Sequence, residues 1–146
     1  MKTLFTFIFV LNSIVLFSQS TDSLKVINFN DVEIFPHFKK TKCKLKLKRE
    51  KLKKCIQKEF YKVISKKFNH RIPASLGLKA NVYKILTEFI IDENGKVINI
   101  KSSGDVKEVA EEMKRIVKSF PKIIPGFNNG KTVPVAYKIP SSFKVE

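Results

Sequence analysis

The spacing of apolar residues changes period twice in the last third of the chain, and each change predicts an element. Residues 82–92 alternate, with Ile85, Thr87, Phe89 and Ile91 on one face and Leu86, Glu88 and Ile90 on the other, which predicts a strand. Glu93-Asn94-Gly95 tolerates the positive φ of a tight turn, so residues 96–101 are expected to return as the hairpin partner. From Asp105 the period becomes three-and-four. Val106, Val109, Ala110, Met113, Ile116, Val117 and Phe120 form one helical face, with Lys107, Glu111, Glu112 and Lys118 on the other. Asp105 with Glu108 makes a capping-box pattern, and Pro121 predicts that the helix stops at Phe120. Residues 131–139 alternate again, with Val133, Val135, Tyr137 and Ile139 together. Pro134 and Pro140 fall on the opposite set, and proline cannot donate to a sheet ladder, so this is predicted to be an edge strand. Phe143 and Val145 continue the alternation, so the last residues should pack against the domain.

The first half is organised differently. An apolar run at residues 4–17, preceded by Lys2 and followed by Ser18-Gln19-Ser20, reads as a cleavable signal peptide over 1–20; the alternative is an uncleaved inner-membrane anchor. Residues 21–44 are read as an N-terminal extension: 21–33 as a linker or an added edge strand, and Ile34-Phe35-Pro36 as an extended segment laid over the surface. Leu52, Cys55, Ile56, Phe60, Val63, Ile64 and Phe68 keep helical spacing, predicting a helix over about 49–68 within a domain spanning 45–146. Asn69 to Pro73 should end it, followed by a loop over 74–80.

Charge changes this picture at one place. Of the residues from Lys39 to Lys67, fourteen are Lys or Arg against only Glu50 and Glu59, in a chain of formal net charge +16. Lys48, Arg49, Lys51, Lys54, Lys58, Lys62 and Lys66 would form the basic face of the helix. Such a face suits an anionic envelope polymer, lipopolysaccharide or a membrane surface, or it is a solvated face and nothing more. No helix-turn-helix, zinc-finger spacing or aromatic RNA-binding motif accompanies it, so nucleic acid is not expected as a partner.

Candidate chemistry is sparse. Cys43 and Cys55, in an exported chain, are expected to form a disulfide. On one straight helix they would stand ~18 Å apart, so a bridge needs a turn between them, which residues 44–48 could supply. A zinc site drawing on His37 or His70 is the weaker alternative. No Gly-rich phosphate loop, Gly-x-Ser-x-Gly or His-Glu-x-x-His is present, so no catalytic residue, metal or cofactor is expected and the chain is not read as an enzyme.

The order of junctions adds a resemblance. Asp92-Glu93-Asn94-Gly95-Lys96-Val97, Ser102-Ser103-Gly104, Phe120-Pro121, Pro125-Gly126 and Asn129-Gly130-Lys131 together resemble the C-terminal domain of TonB-type energy transducers, over roughly residues 87–145. Ile34-Phe35-Pro36 and the Cys43 to Cys55 region are similar to Bacteroidota versions of that domain, although here His37 and Phe38 follow Phe-Pro and the cysteine comes later. The resemblance implies an α+β, two-layer fold: a small antiparallel sheet, made of the hairpin and the final edge strand, packed against two helices. It also implies a periplasmic module that pairs an edge strand with the TonB-box peptide of an outer-membrane receptor. The strand that aligns with that role is 132–139, with Thr132, Val133, Val135, Tyr137 and Ile139 as candidate peptide-binding residues. The same edge could instead pair two copies of the chain. The family's long proline-rich linker and a definite anchor are missing, so the expected role is a binding module, part of or accessory to energised transport.

Overall fold

A computed structural model of the chain describes residues 25–146. The signal-peptide reading of 1–20 lies outside the described residues. The architecture is α+β: a four-stranded mixed sheet carries helices on one face.

The sheet grows from the predicted hairpin. β3 (Asn81–Ile91) pairs antiparallel with β4 (Val97–Gly104) across a turn in which Gly95 takes φ +79° and the Asp92 carboxylate accepts from the amides of Asn94 and Lys96. Asn99, at φ +51°, opens a bulge in β4, where the register with β3 slips between Glu88 and Ile90. On its other side β3 pairs residue for residue with β8 (Val135–Val145), from Asn81 opposite Val145 to Ile91 opposite Val135. The short β1 (Ile27–Asn28) lies parallel to the start of β8, giving the order β1-β8-β3-β4.

Alternation then decides what is buried. Ile85, Thr87, Phe89 and Ile91 from β3 and Val135, Tyr137 and Ile139 from β8 face the helices and are each 3% exposed or less. The other face is open, and there Glu88 and Lys138, directly opposite across the strands, form an ion pair of 2.6 Å.

Two long helices cover the inner face. α1 (Arg49–Lys67) buries Ile56, Phe60 and Ile64. α2 (Arg71–Ser75) is a single short turn spanning the expected end of the preceding helix, 69–73, and the first two residues of the expected loop. α3 (Lys107–Lys118) buries Val109, Ala110, Met113, Ile116 and Val117. The capping box does not form. Val106 occupies the N-cap position without a side-chain hydrogen bond, because Asp105 is drawn the other way: its carboxylate accepts from the Lys84 amide at 2.6 Å and its own amide donates to the Lys84 carbonyl.

Residues 25–44 do not behave as a linker. Phe29, Val32, Phe35, Phe38 and Cys43 are each 6% exposed or less and belong to the same core as the helices and sheet. β2 (His37–Phe38) pairs with β5 (Ile123–Ile124), and β6 (Gly126–Asn128) with β7 (Lys131–Val133) around Asn129 and Gly130, both at positive φ. The Phe29 ring lies 5.0 Å from that of Phe35 and 4.3 Å from that of Tyr137, and Tyr137 is 5.1 Å from Phe60. This chain of rings joins the N-terminal segment to the sheet and α1, an aromatic core contributing about 0.5–1.5 kcal/mol per pair beyond the area it buries.

Candidate binding edge and basic face

The expected edge strand over 132–139 is divided. Thr132 and Val133 belong to β7, which folds back on β6 because the Asn129-Gly130 turn draws them there. Val135, Tyr137 and Ile139 lie on β8 with their side chains in the core and their main-chain groups directed to β3, so these three expected binding residues are turned away from the outer edge.

Which main-chain groups are free follows from alternation along β8. The carbonyls of Pro134 and Ala136 accept from Ile27 and Phe29 on the outer side, and the Lys84 carbonyl, opposite Ser142, is turned away from β8 to meet Asp105. Even-numbered residues of β8 therefore direct their N–H and C=O groups outward, and odd-numbered ones bond to β3. Both prolines are even-numbered, so neither removes a bond from the β3 ladder. β1 covers this outer edge only at Val135 and Ala136. Beyond it, among the described residues, no strand pairs with the outward groups of Lys138, Ser142 and Lys144. The exception is Pro140, whose carbonyl accepts from the Tyr61 hydroxyl at 2.9 Å. Partial burial pushes the Tyr61 phenol above its ordinary pKa.

A groove of about 700 Å³ adjoins the far end of this edge. It lies between α1, α2, α3 and the end of β8, with Tyr61, Ile64, Phe68, Pro73, Met113 and Phe143 among its lining. The Ser141 hydroxyl, also on its wall, is buried without a hydrogen-bond partner. The groove thus combines apolar walls, an unused hydroxyl and an unpaired strand edge.

The cysteines stand where a bridge requires. Residues 44–47 turn, the Leu47 amide donating to the Lys44 carbonyl, and Cys43 is bonded to Cys55 with Cα atoms 5.9 Å apart. With both sulfurs so joined, neither is a thiolate ligand, and among the described residues no three His, Cys, Asp or Glu side chains converge. His37 is buried and within 3.0 Å of the Phe35 carbonyl through Nδ1.

The basic face is smaller than expected by one residue. Arg49 donates to the carbonyls of Asn30, Val32 and Glu33 at 2.8, 2.8 and 3.1 Å and lies 4.5 Å from the Phe35 ring centroid, so it is a structural clamp on the N-terminal segment. Lys48, Lys51, Lys54, Lys58, Lys62 and Lys66 are exposed. Sequence reasoning missed Tyr61, Ser141, Ser142 and Lys144. The signal available was the alternation running on through Phe143 and Val145, which extends the strand beyond Ile139.

No protein-family model matches the chain, and no curated protein and no solved structure matches it. No helix among the described residues is long and apolar enough to cross a membrane.

Proposed function

We propose that the chain is an exported, TonB-like protein-binding module that takes an extended peptide as an added strand along the outer edge of β8, in keeping with its sequence resemblance to the TonB C-terminal domain. The observation that carries the reading is the edge at Lys138, Ser142 and Lys144, which no strand among the described residues covers, beside an apolar groove. Main-chain pairing would supply affinity, and alternate peptide side chains entering the groove would supply selectivity. The peptide segment of an outer-membrane TonB-dependent receptor is the proposed partner, and the module would serve, or assist, energised transport from the periplasm without catalysing a reaction itself.

The test is amide hydrogen exchange with and without a TonB-box peptide. Exchange at Lys138, Ser142 and Lys144 should slow, and Ser142→Pro, which deletes an outward amide but no bond to β3, should weaken binding at least about tenfold. Protection along β4 instead, or none on β8, would defeat the reading.

A further inference from the structure

The lysines of α1 form a second surface that owes nothing to β8. Lys51, Lys54, Lys58, Lys62 and Lys66 recur at three- and four-residue spacing, on the side of the helix away from Ile56, Phe60 and Ile64. The stripe is about 22 Å long at the helical rise per residue. Among the described residues the ion pairs use Lys114, Arg115, Lys138 and Lys144, and none neutralises this stripe.

Two apolar features accompany the charge. Cys55 falls in the stripe itself, four residues after Lys51 and three before Lys58, so its bridge to Cys43 holds the loop 44–48 against this side of the helix. In that loop Leu45 and Leu47 alternate with Lys44, Lys46 and Lys48, and the two leucines are 53% and 36% exposed. Alongside runs a shallow cleft of about 500 Å³ with Phe38, Cys55 and Val63 among its lining and Lys42, Lys58, Lys62 and Lys66 around them. Its one acid, Glu59, is already committed to the Thr41 hydroxyl and the Lys42 amide.

A soluble polyanion would use the lysines and leave the leucines in water. A bilayer surface uses both, with ammonium groups at lipid phosphates and leucines below the headgroups. We infer that this face docks on an anionic phospholipid surface, the α1 stripe lying along the headgroups while Leu45 and Leu47 enter the acyl boundary. The disulfide fixes the loop in advance, so little ordering is needed on docking. Tyr61, Ile64 and Phe68, which line the β8 groove, are not part of the stripe, and a docked molecule keeps them for a peptide.

The chain contains no tryptophan, so Leu45→Trp installs a single reporter. Using the exported protein as isolated, its N-terminus read by mass spectrometry, emission should move to the blue on vesicles containing phosphatidylglycerol and stay unchanged on phosphatidylcholine alone. In co-sedimentation with the same vesicles, replacing Lys51, Lys54, Lys58 and Lys62 by Gln should weaken binding on the order of a thousandfold. Leu45→Ser with Leu47→Ser should weaken it about tenfold. An unshifted reporter, or equal binding to both vesicle types, overturns the inference. Full retention by the leucine variant, with equal binding to soluble polyphosphate, overturns it in favour of a free polyanion. None of these variants touches Lys138 to Lys144, so a negative result here leaves the peptide reading standing.

Discussion

The Tyr61 hydroxyl donates to the Pro140 carbonyl at 2.9 Å, tying α1 to the outer edge of β8 at the one residue within that strand that has no N–H to offer. The contact stands at the centre of the open stretch, with Lys138 on one side and Ser142 and Lys144 on the other. Under the proposed reading, a peptide laid along β8 would meet a local gap there, bridged by a side chain, that would constrain its register.

Removing the hydroxyl isolates this contact. Tyr61→Phe should lower stability by about 0.5–1.5 kcal/mol, the net worth of one such bond. Urea unfolding should give a lower midpoint with an unchanged slope.

Arg49 separates structural charge from surface charge. Its guanidinium serves three carbonyls and stacks on Phe35, a set of contacts that one ammonium group cannot reproduce. Arg49→Lys should therefore destabilise by about 1–3 kcal/mol, whereas Lys58→Gln should change stability by no more than about 0.5 kcal/mol. Denaturant midpoints of the two variants at neutral pH test the contrast.

Glu112 gives a pH dependence with a definite sign. It is 6% exposed and accepts from the Arg115 guanidinium at 2.6 and 2.7 Å and from the Asn69 amide at 3.0 Å. Arg115 foremost, then the Asn69 amide, holds its carboxyl below the ordinary 4.5, against the opposing effect of burial. A carboxyl with a lowered folded value binds its proton less readily when folded, so the stabilisation is complete above the ordinary value and fades as pH falls through the lowered one. Glu112→Gln should cost about 1–3 kcal/mol at pH 7, and the gap to the wild type should narrow in unfolding curves taken below pH 4.5.

The disulfide closes a loop of sequence separation 12. Changing both Cys43 and Cys55 to Ser should cost about 3 kcal/mol by the chain-entropy relation. Calorimetry of the double variant against the wild type measures it, and reduction of the wild type should reproduce most of the loss.

The β3–β4 hairpin, α1 and α3 were legible because local rules govern them: Asn94-Gly95 demands a turn, and the periods of Val106 to Phe120 and Leu52 to Phe68 admit one face each. The two cysteines together with the turn between them announced their bridge. Long-range competition hid the rest. Asp105 looked like a helix cap, but a strand amide at Lys84 claimed its carboxylate. Residues 131–139 looked like one strand, but the turn at Asn129-Gly130 took 131–133 for β6 and left β8 to start after Pro134. Phe29, Val32 and Phe35 were scattered among polar residues, and the burial of Phe29 and Phe35 depends on the ring of Tyr137, 108 positions beyond Phe29, which in turn packs on Phe60.

The bulge at Asn99 gives the two margins of the sheet unequal fates. The β4 ladder is interrupted there, while β8 keeps an unbroken register with β3 from Val135 to Val145. A bulge is one of the devices by which a sheet margin resists adding a further strand, so it works against growth through both margins into a fibre. Under the proposed peptide reading, strand addition would then be confined to the β8 margin, at one strand per molecule.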